Sequence, residues 1–273
     1  MTRLGALAVL IGVFASGETR AQSDRGFSAT FGIDVPLTAA SKPNGDATQG
    51  EQSTSTPRVS LTLFYSPPQT HLFGRLGFYR YFDEEKKASW NPDFTYSFGY
   101  DDWHPGTFSL TYANYGGNRI KPDRSQGESV THVEEGTITV AYKIPIPISF
   151  EAFFVPHPDN RLSAAVAAHL TPRYQQESST ERGDWKKSLS ANVRYRFYRW
   201  WYAEASAHYY PEQGQQQPWD PDYTYGFGFF DWHPGTVSIR YSNFAANRFP
   251  GHDSSTGTSW RDGGLTIAWS HAW

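Results

Sequence analysis

Two pentapeptides, Asp102-Trp103-His104-Pro105-Gly106 and Asp231-Trp232-His233-Pro234-Gly235, carry the residue types best suited to chemistry in this sequence. Aspartate beside histidine makes a general base, and two histidines could share a metal ion. Their surroundings argue for a plainer role. Each histidine precedes a proline, and His-Pro-Gly-Thr at 104–107 and 233–236 puts proline and glycine at the two central positions of a type II turn. No serine stands nearby to complete a triad, and each pentapeptide lies in its own copy of a repeat. The expectation is a turn with an aromatic anchor, with no catalytic residue, no metal and no cofactor.

Composition removes most other chemistry. The 273 residues include no cysteine, which excludes a disulfide framework, thiol catalysis and cysteine-ligated metal. The net charge of -3 leaves no electrostatic footprint for nucleic acid. Mean hydropathy is -0.60, and the only continuous apolar run of any length is Ala6–Ala15, which rules out a bundle of membrane helices. That run follows Arg3 and precedes Thr19-Arg20-Ala21, a small-x-small cleavage site, so residues 1–21 read as a cleavable secretory signal peptide and 22–273 as a single mature domain.

The elements that hold the pentapeptides repeat with them. FTYSFGYDDWHPGTFSLTYANYGGNR at 94–119 recurs as YTYGFGFFDWHPGTVSIRYSNFAANR at 223–248. GTITVAY at 136–142 matches GGLTIAW at 263–269, and FSATFGIDV at 27–35 is echoed by LSAAVAAHL at 162–170. Repeat one covers about 27–144, a linker 145–160, and repeat two about 161–273. Inside each copy the period is two: Phe94, Tyr96, Phe98 and Tyr100 alternate with Thr95, Ser97, Gly99 and Asp101. Counting such stretches gives six strands per copy and twelve in all, with no convincing helical period. The polar stretch 172–186 reads as a long loop. The segment 148–155, between prolines 145, 147, 156 and 158, reads as a linker on the side of the short turns.

Long connections alternate with short ones, and the last stretch, GGLTIAWSHAW, alternates Leu265, Ile267 and Trp269 up to Trp273. This ending resembles the terminal-aromatic signal by which outer-membrane β-barrel proteins are recognised by their assembly machinery, with Trp269 and Trp273 as its aromatics. The resemblance implies an all-β fold, a closed antiparallel transmembrane barrel of about twelve strands built from two six-stranded repeats and exported to a bacterial outer membrane. Its partners would be outer-membrane lipids, lipopolysaccharide and the barrel assembly machinery. The heavy load of 10 Trp, 17 Tyr and 19 Phe then forms aromatic girdles at the two interfaces.

Function is set by the opposite parity of each strand. It points Ser28, Thr30, Gly32, Asp34, Ser60, Thr62, Thr95, Ser97, Gly99, Thr224, Gly226 and Gly228 inward, a small and hydroxyl-rich set that leaves a narrow wet passage. The larger lumen candidates are Arg75, Tyr79, Arg194, Arg196, Glu204, His208 and Arg240, with Tyr81, His169 and Tyr202 behind them. Guanidinium groups there favour anionic or polyhydroxyl solutes and tyrosines give flat surfaces to sugar rings, whereas Arg, Glu and His pairing across the lumen would stiffen or plug it. Asn114 with Arg119, and Asn243 with Arg248, fall at the outer rim, where they fix the long loops or touch lipopolysaccharide phosphates. The leading expectation is a channel for small polar, anionic or saccharide solutes with no enzymatic activity. The alternatives are a barrel tied to surface polysaccharide export or binding, and an outer-membrane lipid-modifying enzyme. For the last, no serine, histidine and acid set is found at the rim.

Overall fold

A computed structural model describes residues 26–38, 56–84, 87, 91–123, 129–146, 161–176, 182–231, 233, 235–244, 247–252 and 259–273. The proposed signal peptide, the segment 148–155, Trp232 and Pro234 lie outside them. The first half holds β1 (Gly26–Pro36), β2 (Arg58–Ser66), β3 (Leu72–Tyr81), β4 (Phe94–Asp101), β5 (Phe108–Asn114) and β6 (Thr137–Ile144). The second half holds β7 (Arg161–Gln175), β8 (Arg182–Phe197), β9 (Trp201–Tyr209), β10 (Tyr223–Phe229), β11 (Val237–Asn243) and β12 (Gly264–Ala272).

Each strand pairs antiparallel with its sequence neighbours, and β1 pairs with β12 to close the sheet. The closing register sets Phe31 against Trp269 and Ile33 against Ile267. Closure leaves no strand with an unpaired row of N–H and C=O groups, the condition for a sheet to stand in hydrocarbon.

The side-chain parity turns the barrel inside out relative to a water-soluble one. Phe31, Phe98 and Phe227, each at mid-strand, are 51%, 54% and 53% exposed, whereas Thr95, Ser97, Thr139, Ser188, Ser190 and Asn192 on the inner face are buried. Apolar surface left in water costs about 25 cal/mol per Å², and a belt of it running right round a molecule far exceeds the few hundred Å² that soluble monomers show. The belt ends in aromatics on both sides. At the long-loop end Tyr96 and Tyr112 are 6.0 Å apart and Tyr225 and Tyr241 are also 6.0 Å apart. At the short-turn end stand Phe108 with Tyr142 at 4.9 Å, Trp201 with Phe229 at 5.6 Å and Phe27 with Trp273 at 5.3 Å.

Two glycines allow neighbouring strands their local approach. A Cβ on Gly99 would sit 2.1 Å from the Leu110 carbonyl oxygen, and one on Gly228 would sit 2.2 Å from that of Ile239. These are the same position in the two copies, each facing the strand that follows.

The stretch 172–186 is not a long loop. β7 runs to Gln175 and β8 starts at Arg182, with Arg173 opposite Asp184 and Tyr174 opposite Gly183. The hairpin thus continues past the apolar belt, so its outer residues are polar and show no alternation. The ladder skips Pro172 opposite Trp185: proline has no N–H to give, and Trp185 turns to φ 58°.

Candidate functional site

The described residues of both Asp-Trp-His-Pro-Gly segments lie in turns. Asp102 Oδ1 accepts from the His104 backbone N–H at 3.1 Å and lies 2.6 Å from His104 Nδ1, while Thr107 Oγ1 donates to the carbonyls of Asp102 and His104 at 2.7 and 2.6 Å. Asp231, His233 and Thr236 reproduce every one of these contacts at 3.0, 2.6, 2.7 and 2.6 Å. Gly106 and Gly235 take φ +81° and +80°, as the third residue of a type II turn requires. Burial pushes the Asp102 carboxyl up, but the His104 ring and backbone donors outweigh it and hold the group below its ordinary range. Both histidines are about half exposed, and their turns, β4–β5 and β10–β11, stand six strands apart. Among the described residues no cluster of three His, Asp or Glu side chains could hold a metal ion. Trp103 is exposed beside its turn and stacks on His104 at 3.8 Å.

At the opposite rim the asparagines and arginines serve the loops. Asn118 Nδ2 donates to the Phe94 carbonyl and to Asn114 Oδ1, both at 3.1 Å, and Asn114 Nδ2 donates to the His132 carbonyl at 2.7 Å. In the second copy Asn247 donates to the Tyr223 carbonyl at 3.0 Å and to Asn243 Oδ1 at 3.1 Å, and Asn243 donates to the Ser259 carbonyl at 2.9 Å. Asp93 accepts from the Ile120 N–H at 3.0 Å and Asp222 from the Phe249 N–H at 2.9 Å. Hydrogen bonds from Lys87 and Ile120 at Asp93, and from Phe249, Gln216 and His252 at Asp222, override the effect of burial and keep both carboxyls below their ordinary range. Arg119 donates to the Asn91 carbonyl and Arg248 to the Asp220 carbonyl. These cations are therefore engaged with loop backbone, the first of the two roles that the sequence left open for them.

The interior encloses a cavity of about 300 Å³. One wall is a row of small groups on β12, β1 and β2: Ser28, Thr30, Gly32, Ser60, Thr62 and Thr266, with Ser270 3.0 Å from Thr30. Along β1 the cavity extends from Ser28 to Asp34, a path of about 20 Å at ~3.3 Å per residue. Against this wall stand the larger groups. Arg58 Nε donates to Asp34 Oδ2 at 2.9 Å, its Nη1 donates to the Tyr81 hydroxyl at 3.3 Å, and its guanidinium lies 4.3 Å from the centre of the Tyr79 ring. Thr266 donates to the other oxygen of Asp34 at 2.6 Å. Lower down, Arg194 lies over the Tyr202 ring at 3.9 Å and 3.9 Å from Glu204.

Of the lumen candidates, Arg75, Tyr79, Arg194, Glu204 and Arg240 line the cavity together with Tyr202. Arg196 and His208 do not line it, although each has the inward parity of its strand. His169 is buried in the wall between Thr139 at 3.0 Å and Ser190 at 2.8 Å. Tyr81 lies under Arg58 and donates to the Pro92 carbonyl at 3.1 Å. Arg58, Phe64 and Tyr115 are lining residues that the sequence reading did not single out. Arg58 had a signal, since it lies two residues before Ser60 and so shares its face. Trp269 and Trp273 point outward, and the Trp273 N–H donates to the Phe27 carbonyl at 3.0 Å.

No protein-family model matches this chain, and no curated protein matches it. Among solved structures it is similar to Salmonella typhi OmpF in complex with daunomycin, at 10% identity over 90% of this chain and 96% of that one, with a TM-score of 0.36.

Proposed function

We propose that this chain is a channel-like barrel of the outer membrane, through whose lumen small polar solutes, anionic or saccharide, pass without being chemically altered. One observation carries the reading: a hydroxyl-lined cavity runs along most of β1 inside a closed sheet whose outer face is apolar and aromatic. An outer face of this kind is compatible with lipid and not with water. A cavity of about 300 Å³ drawn out along about 20 Å of strand makes a narrow passage, which suits small solutes. The cavity lining combines hydroxyl groups with arginines and tyrosines, which suits either an anion or a sugar.

The test starts with location. Detergent fractionation and a heat-modifiability gel on the expressed protein should place it in the outer membrane as a folded barrel, and a fully soluble product would end the reading. Liposomes carrying the purified barrel should then swell with small sugars and progressively less with larger ones. Swelling no faster than in empty liposomes would overturn the passage.

A further inference from the structure

We infer that the cavity holds a binding site for a small oxyanion, a carboxylate or phosphate group carried by the solute, centred on Arg240. The inference deepens the channel reading and rests on it, choosing the anionic over the neutral solute. The cavity lining carries four guanidinium groups, Arg58, Arg75, Arg194 and Arg240, and two carboxylates, Asp34 and Glu204. Each carboxylate already has its own cation, Arg58 for Asp34 at 2.9 Å and Arg194 for Glu204 at 3.9 Å. Among the lining residues guanidinium groups thus outnumber carboxylates by two, and Arg240 is paired with neither carboxylate.

The Nε of Arg240 is buried and no described group accepts a hydrogen bond from it. Its strand neighbours explain why: Gly228 on one side has no side chain and Thr266 on the other donates its hydroxyl hydrogen to Asp34. A buried donor without an acceptor is costly, and a planar guanidinium is built to receive two oxygens of one carboxylate or phosphate. Arg75, whose guanidinium lies 5.7 Å from the Phe64 ring centre, lines the same cavity from the first half of the barrel. A neutral sugar would satisfy the Nε but would leave the excess charge in place.

The experiment uses the whole purified barrel in planar bilayers. The reversal potential across a KCl gradient should show anion preference, and inorganic phosphate added to one side should reduce the chloride current. Arg240→Gln should lower the anion preference by about tenfold, the effect of removing one charge beside a narrow bore, and should abolish the phosphate effect. Arg240→Lys should keep the preference and weaken the phosphate effect. Discrete conductance with no anion preference, or a preference unchanged in Arg240→Gln, overturns the anion site and leaves the channel standing. A silent bilayer overturns the channel. In that event, phosphate protection of the detergent-solubilised barrel against heat, lost in Arg240→Gln, supports the site, and no protection overturns that as well. A heat-modifiability gel on each variant confirms that it has folded.

Discussion

Adjacent residues on β1 give a perturbation whose sign depends on which face meets lipid. Phe31 points outward between Leu61 and Trp269, with its ring 6.1 Å from that of Trp269, while Thr30 points into the cavity 3.0 Å from Ser270. Phe31→Arg places a cation near the middle of the apolar belt, which costs about 2–4 kcal/mol at a bilayer midplane, and the lost ring contact adds about 1 kcal/mol. Thr30→Arg loses one hydroxyl contact, about 1 kcal/mol, and its cation stays in the wet lumen and out of hydrocarbon. The expected difference is therefore about 2–4 kcal/mol against the outward change, about thirtyfold or more in the folding equilibrium. Urea titration of the barrel in phospholipid vesicles, read on the heat-modifiable band, measures both variants. If the outer face met water, the order would reverse: an exposed arginine would be tolerated and a buried one would unfold the protein. Equal losses, or a larger loss for Thr30→Arg, would refute the assignment of the two faces.

Three further outcomes follow from the repeated elements. Asp102 has a lowered carboxyl pKa, so its contribution to the turn is full above the ordinary carboxylate value near ~4 and is lost as pH falls through the lowered one. Acid titration of stability should accordingly show a smaller loss below about pH 4 in Asp102→Asn than in the parent. Asn118→Ala and Asn247→Ala each remove a fully buried amide that anchors a strand start. Since the Oδ1 atoms of both have no partner, each change should cost only ~1–2 kcal/mol, and the double variant should show the sum, read as urea midpoint. Gly99→Ala and Gly228→Ala should each strongly reduce the folded fraction on a heat-modifiability gel, because the added Cβ meets a carbonyl oxygen of the next strand. Gly74→Ala, with nothing within 4 Å of the new carbon, should fold normally.

Much of the fold is readable in the residue order because a membrane strand must separate its two faces. Period-two alternation at Phe94–Tyr100 or Leu265–Trp269 locates strands, and proline with glycine at 105–106 locates a short turn. The same rule fails where the sheet leaves the belt. Arg173, Asp184 and Lys187 are exposed polar residues where the belt below carries apolar ones, and buried Lys186 and Ser188 beside them are polar too, so nothing in their order separates them from a loop. The site is legible to the level of inward or outward and no further. Parity places Arg194 and Arg196 on the same face, yet only Arg194 reaches the cavity. That cavity follows β12, β1, β2 and β3 along their length and meets β8 and β9 only near Arg194, Tyr202 and Glu204, towards the short-turn end. Strand tilt and the bulk of neighbouring groups decide height and cover, and neither is written in a single strand. Arg58 escaped for a different reason: it opens its strand, where the flanking polar loop masks the alternation.

The seam between β1 and β12 has a kinetic consequence. It joins Thr30 to Ser270 and Asp34 to Thr266, partners separated by 240 and 232 positions in the chain, whereas the other strand pairings link immediate neighbours. Hairpins can zip in sequence at little entropic cost, but the cylinder is not shut until its two remotest strands meet. Until that moment two bare rims remain able to recruit strands from other chains. Weakening the seam, for instance through Trp269 or Phe31, should therefore slow the final step more than the early ones, and should favour chain-to-chain association over completion.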